Sequence, residues 1–156
     1  MRYILDASFF FGEYPFCGEF VTTPLVIAEL RDLTSKMRFE VMQNRGLVIS
    51  EADLAAVSRV RVATERSGDL RVLSETDISV IALGLYSGGT VVSDDFAVQN
   101  VCCHLKIPVQ NMMQKKVKRR IWKYICSGCG SEIPAGEIEC PICGSQPVRR
   151  GTEKRR

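Results

Sequence analysis

A chain of 156 residues, 46% hydrophobic, with 21 basic against 18 acidic side chains, is long enough for one core-bearing domain and a small appendage, and too balanced in charge for a disordered protein. No run approaches the roughly 18 to 20 uncharged apolar residues of a membrane span. The apolar start MRYILDASFFFGEYPF is interrupted by Asp6 and Glu13 and leads to no small-residue cleavage site, which argues against a signal peptide and for a cytoplasmic protein.

The first element is a short strand, Arg2 to Leu5, ending at Asp6. In TTPLVIAELRD, Thr23 caps a helix, Pro24 fits its first turn, and Glu29 rides on it. Lys36 to Arg45 reads as helix and Gly46 stops it, after which LVIS (47–50) reads as a strand. Ser50 and Asp53 resemble a cap before a long amphipathic helix through Arg66, closed by Gly68. Ser74 caps the next helix, which runs through Tyr86 with Asp77 in its first turn and breaks at Gly88 and Gly89. TVVS is then a strand, FAVQNVCCHL a helix and IPVQ a last strand. Alternating strands and helices predict an α/β domain with a parallel sheet and right-handed crossovers, in which ligands bind beyond the carboxyl ends of the strands.

Charge is distributed unevenly. Residues 1–113 hold ten basic against fourteen acidic side chains, a net −4, whereas residues 114–156 hold eleven against four, a net +7. The pattern suggests an acidic module followed by a basic one that meets a polyanion, although a basic tail also serves solubility.

Cys126, Cys129, Cys140 and Cys143 form two C-x-x-C-G knuckles ten residues apart. This is zinc-ligand spacing, with Gly130 and Gly144 letting the backbone curl so that amides point at the sulfurs. An iron–sulfur cluster or disulfide pairing fits such knuckles less well. Four protein ligands leave no open position, so the zinc is structural, and some twenty residues with few apolar groups need it to fold. Cys17, Cys102 and Cys103 lie among apolar neighbours and read as buried, reduced thiols. His104, the single histidine, has no nucleophile beside it, which argues against a Ser/His or Cys/His triad.

Asp6, Asp94 and Asp95 fall at strand ends, and Asp77 at a helix start that opens on the same edge, within reach of Glu29. Taken singly, each has an ordinary role as cap, turn former or solvated side chain. Gathered together they repel one another unless a hard divalent cation neutralises them, and magnesium and manganese prefer oxygen donors. Such a site lowers the pKa of a bound water and orients a phosphodiester.

LDAS, the helix with IAEL, SETDISVIALG and VVSDDFAVQN resemble the acidic motifs of PIN-domain ribonucleases across about the first 110 residues. VapC-type toxins share that domain and usually stop there. With a basic stretch and a zinc ribbon added, the chain is similar over nearly its whole length to the archaeal NOB family, which removes the 3′ extension from precursor small-subunit ribosomal RNA. The resemblance implies a PIN-like three-layer domain at 1–113, a basic linker at 114–123, a zinc ribbon at 124–147 and a basic tail at 148–156. It implies that Asp6, Glu29, Asp77 and one of Asp94 and Asp95 hold one or two magnesium or manganese ions, with Ser8 and Ser93 supporting them. The implied chemistry is metal-assisted hydrolysis leaving 5′-phosphate and 3′-hydroxyl ends, with no side-chain nucleophile. The implied partners are precursor rRNA and the immature small ribosomal subunit, with no DNA and no membrane.

RNA binding has a separate basis. QKKVKRRIWKY sets Lys115, Lys116, Lys118, Arg119, Arg120 and Lys123 around Trp122 and Tyr124, cations for phosphate with rings for bases, and RRGTEKRR adds five more charges. Trp122 is equally suited to packing between the modules. The expectation is a metal-dependent endoribonuclease acting on precursor rRNA. The alternatives are a VapC-like toxin acting on tRNA or mRNA and a non-catalytic RNA-binding assembly factor.

Overall fold

Local signals in the sequence set most of the element boundaries. A computed structural model describes residues 1–12, 14, 17–112, 120–134 and 136–153. Strand β1 (Arg2–Leu5) runs into a 3-10 turn at Ala7–Phe11, followed by β2 (Glu19–Thr22), α1 (Pro24–Glu29), α2 (Leu33–Asn44) and β3 (Val48–Ile49). Next come α3 (Leu54–Ser67), α4 (Glu75–Ser87), β4 (Thr90–Val92), α5 (Phe96–Leu105) and β5 (Val109–Gln110). Thr23 caps α1 by accepting from the Val26 amide, Asp53 caps α3 through the Ala56 amide, and Ser74 caps α4 through the Asp77 amide. Each cap satisfies an amide that has no partner within its helix.

The five strands form one parallel sheet in the order β3-β2-β1-β4-β5. The chain builds outward from β1 to β3, then crosses back through α3 and α4 to β4 on the other side of β1; crossovers of the usual right hand then put helices on both faces, the three-layer α/β arrangement expected. Ile4, Leu5, Val91, Val92, Val98 and Val101 are fully buried, each contributing roughly 1.5–3 kcal/mol of hydrophobic stabilisation. The strand order reverses beside β1, and the register sets Leu5 opposite Val92. Asp6 and Ser93, the next residues on the two strands, therefore emerge side by side at the crevice where such sheets bind ligands.

A second sheet has the order β7-β6-β8, all antiparallel: β6 (Arg120–Cys126), β7 (Glu132–Ile133) and β8 (Pro147–Glu153). Its core is small, comprising Tyr124, Cys126, Ile133 and Cys140. Here the structure departs from the sequence reading. Strand β6 begins at Arg120, within the stretch read as linker, and β8 takes up most of the segment read as tail. Cross-strand pairing from Arg120↔Glu153 to Cys126↔Pro147 orders these charged residues, so their order does not depend on an apolar pattern. Strand β2 and the 3-10 turn also went unread, because four residues without alternation carry no periodic signal. Among the described residues no helix is long and apolar enough to cross a membrane.

Candidate active site and metal centre

Each acid at the sheet edge is held by the element it begins. Asp6 caps the 3-10 turn, one carboxylate oxygen accepting from the Ala7 amide at 2.6 Å and the other from the hydroxyls of Ser8 at 3.1 Å and Ser93 at 2.5 Å. Asp77 closes a capping box, its Oδ2 accepting from the Ser74 amide at 2.7 Å and the Ser74 hydroxyl at 2.8 Å. Asp95 caps α5, its Oδ1 accepting from the Ala97 amide at 2.6 Å and the Val98 amide at 3.2 Å. Glu29 is the exposed last residue of α1. Capping and service in a site are therefore compatible, since one oxygen of Asp77 and one of Asp95 suffice for the cap.

Electrostatics ties these residues together. Burial pushes the Asp6 carboxyl above the usual carboxylate range, opposed by the Ser93 hydroxyl, and the charge of Asp77 adds to the rise. Asp77 is also raised, chiefly by burial against its Ser74 bonds, with Asp95 and Glu29 contributing. Asp77 is thus the link: its charge bears on Asp6, and those of Asp95 and Glu29 bear on it. Asp94 has a different partner: its Oδ1 accepts from the Met112 amide at 2.8 Å, just beyond β5. No ion pair neutralises Asp6, Glu29, Asp77 or Asp95 among the described residues. An oxygen-only donor set with no ion-pair partner among the described residues fits a hard divalent cation.

The cysteine cluster is a different kind of site. All four sulfurs lie within 4.8 Å of one another, and among the described residues no other set of three or more potential ligands does so. Cys126 and Cys143 sulfurs are 3.3 Å apart and those of Cys129 and Cys140 3.6 Å. These distances are near the roughly 3.8 Å edge of a tetrahedron with metal–sulfur bonds of about 2.3 Å, and well beyond a disulfide bond of about 2.05 Å. The cysteines are free thiols. Gly130 and Gly144 adopt left-handed φ of 75° and 72° as the knuckles require, and the Gly128 and Cys129 amides point at the Cys126 sulfur at 3.3 and 3.4 Å. Ser145 holds the Cys143 thiol down to about 6, favouring the thiolate that binds metal.

Of the remaining thiols, Cys102 is buried, which pushes its pKa far up. Cys103 is only partly buried and Cys17 is exposed, so the expectation of three buried thiols holds for Cys102 alone. Cys17 stands before Gly18 at the entry to β2, outside the core.

The two modules are joined by a buried polar network absent from the sequence reading. Asp69 and Asn100 are both 0% exposed. Asp69 pairs with Arg149 of β8 and accepts from Asn100 Nδ2 at 2.7 Å. Asn100 in turn takes the Arg120 amide at 2.8 Å and donates to the Arg120 carbonyl at 3.0 Å, with His104 Nε2 2.9 Å from the same carbonyl. The lone histidine thus fastens the joint. Gly68 has left-handed φ of 75°, and a Cβ there would collide with the Trp122 carbonyl. Trp122 packs edge-on against Phe96, the residue after Asp95, at 6.2 Å, with the Arg149 guanidinium 4.3 Å over its ring. Of the two roles open to Trp122, packing is the one its surroundings describe. Arg120 lies over Phe96 at 5.5 Å, Lys123 is exposed and bridges to Glu132 at 2.8 Å, and Arg71 covers the Tyr124 ring at 4.3 Å. Lys115, Lys116, Lys118 and Arg119 lie outside the described residues.

Parallel sheet, acid edge and appended cysteine centre together define a nuclease of the PIN class, and the family described as PIN domain of ribonuclease matches residues 3–86. Over 154 residues the chain is 35% identical to Endoribonuclease Nob1 of Archaeoglobus fulgidus, covering 95% of this chain and 90% of that one. Endoribonuclease Nob1 of Pyrococcus abyssi is 35% identical over 153 residues, covering 96% and 92%. Ribonuclease VapC1 of Thermoplasma acidophilum is 31% identical over 141 residues, covering 89% and 71%. The chain belongs to the archaeal Nob1 endoribonucleases.

Proposed function

We propose that this protein is a metal-dependent endoribonuclease of the cytoplasm that trims the 3′ end of precursor small-subunit rRNA on the immature small ribosomal subunit. In this reading Asp6, Glu29, Asp77 and Asp95 hold one or two magnesium or manganese ions, and Cys126, Cys129, Cys140 and Cys143 hold one structural zinc. Asp94 serves the scaffold through Met112. The supporting observation is that Asp77 lies close enough to Asp6, Asp95 and Glu29 for their charges to bear on one another's carboxyls through it, with no ion-pair partner among the described residues, in a chain that matches Nob1 endoribonucleases nearly end to end.

A divalent ion bound there supplies a lowered water pKa, a hold on the phosphodiester and neutralisation of the charge that builds on the leaving oxygen. The chain's own residues supply orientation. Ser8 and Ser93 fix the Asp6 carboxylate, Ser74 fixes Asp77, and the first amides of α5 fix Asp95, so that the donors are placed before any ligand arrives. No side-chain nucleophile is needed for hydrolysis by water.

The test is to incubate the purified protein with manganese and an RNA spanning the 3′ end of the precursor, then sequence the product ends. Cleavage at one position with 5′-phosphate products, reduced at least about a thousandfold in Asp6→Asn and Asp77→Asn, is the expected result. Equal cutting by wild type and both variants would end the catalytic reading in favour of an RNA-binding assembly factor. Indiscriminate cutting of tRNA or mRNA in preference to the precursor would favour the toxin-like reading.

A further inference from the structure

Beside the joint lie two hollows that share Arg66 and Ile121 in their walls. The first, about 600 Å³, is lined by Ser58, Arg59, Val62 and Arg66 of α3, His104 and Leu105 of α5, and Ile121 of β6, among others. The second, about 400 Å³, shares Arg66 and Ile121 with the first and continues onto the ribbon past Trp122 and Lys123. They make one groove along α3 and β6. None of the crevice acids lines it.

The unpaired basic side chains belong to the first hollow, while the second also carries Glu65 and Glu132, the latter paired with Lys123. Arg59 and Arg66 are seven residues apart, so they project from one face of α3 about 10 Å from each other. Both are exposed, and neither has a carboxylate partner among the described residues. The contrast is Arg61, on another face, whose guanidinium is paired with Glu75 at 2.5 Å. Between the two arginines the floor is apolar, formed by Val62, Leu105 and Ile121.

We infer that this groove binds single-stranded RNA, as a site separate from the acid crevice; the inference rests on the RNA substrate proposed above. Unpaired guanidiniums at that spacing meet different phosphates of one strand, and the apolar floor between them accepts an unstacked base. A duplex keeps its bases inside the stack and cannot offer one to the floor. Ile121 of β6 lines the same hollow as Arg59 and Arg66, so a strand bound there touches both modules.

The experiment is fluorescence anisotropy on the full-length, zinc-loaded protein with a labelled single-stranded RNA from the precursor 3′ end, without added magnesium or manganese. The variants are Arg59→Ala with Arg66→Ala, and Arg61→Ala as the control. The double variant binds roughly tenfold more weakly at about 0.1 M salt, with a log–log salt slope shallower by about 1.4, while Arg61→Ala stays within about twofold of wild type. In cleavage assays the double variant raises KM and leaves kcat within about twofold. An unchanged affinity and salt slope in the double variant overturns the inference. So does competition by a duplex of the same sequence as strong as that by unlabelled single strand. Displacement by polyglutamate that depends on Arg59 and Arg66, with RNA affinity untouched, would reassign the groove to an acidic protein and overturn it as well. Failure of wild type to cleave the precursor counts against the proposed function alone, since anisotropy judges the groove without catalysis.

Discussion

In the proposed function the acid crevice and the cysteine ribbon each hold a metal ion, yet they are assembled in opposite ways. In the crevice the fold comes first. A large buried core sets the ends of β1 and β4 side by side, and hydrogen bonds from Ser8, Ser74, Ser93 and the first turn of α5 then hold carboxylates that repel one another. The ribbon has four core residues, two of them cysteines of the four-sulfur cluster, too few to order it by apolar burial alone. On the proposed assignment one site spends folding free energy to be ready for an ion, and the other obtains folding free energy from it.

The comparison is most exposed to removal of the ribbon metal. Stripping it, or replacing Cys140 by Ser, forfeits binding free energy on the order of 10 kcal/mol. Amide hydrogen exchange should then show β6, β7 and β8 losing protection while β1, β4 and α5 keep theirs. Loss of protection throughout the chain would mean that the crevice, too, depends on that ion. Removing divalent cations from the crevice, by contrast, should leave every element protected.

Next in size is the division of labour between the adjacent aspartates. Asp95→Asn should lower kcat by about a hundredfold or more and weaken manganese binding, whereas Asp94→Asn should cost less than about tenfold and appear mainly as lower stability, because its carboxylate serves the Met112 amide. Calorimetric titration with manganese separates the two, and the reverse order of effects would transfer the ligand role to Asp94.

How much of this could be read from the sequence depended on the reach of each signal. Thr23, Asp53 and Ser74 act on amides a few residues away, and the C-x-x-C knuckles act within one turn, so helix starts and cysteine ligands were legible. The acids were legible as residues at element boundaries, whereas their surroundings were not: only the fold sets Asp94 against the Met112 amide, and Asp95 at the cap of α5 with its charge bearing on Asp77. The joint was illegible for the same reason. Nothing near Asp69 in sequence announces that Arg149, eighty residues away, will pair with it, and nothing in RIWKYIC says that a charged stretch will be ordered by pairing with β8.

The joint supplies the third prediction. Asp69→Ala leaves the partly buried Arg149 guanidinium without its carboxylate and breaks the bond from Asn100, and should cost about 3 kcal/mol in the intact chain. Removing both charges, with Asp69→Ala and Arg149→Met together, should cost less than the single change, because no unpaired charge remains. Denaturant unfolding of both variants decides it. A loss in Asp69→Ala below about 1 kcal/mol would show that the ribbon is tethered by the chain rather than docked on the nuclease domain.

The smallest expected effect tests the crevice most directly, because it concerns the cost of holding the site ready. Burial raises the pKa of Asp6 in the folded protein, so the folded state prefers the protonated carboxyl. The stability that this group contributes is complete below the ordinary carboxylate range and is lost as pH rises through the raised value. At neutral pH the charged form therefore opposes folding. Asp6→Asn removes the charge while keeping an acceptor for the Ala7 amide, and the hydroxyls of Ser8 and Ser93 can turn to accept from its amide group. Without divalent cations the variant should gain about 1 kcal/mol at pH 7, a rise of a few degrees in Tm, and the gain should vanish on acidification below the ordinary carboxylate range. Added manganese should reverse the ranking, since an ion that binds only the wild-type folded state stabilises it by mass action. If Asp6→Asn were less stable than wild type at every pH and manganese concentration, Asp6 would be a structural cap whose carboxylate the fold requires, and the readiness ascribed to the crevice would have no energetic cost behind it.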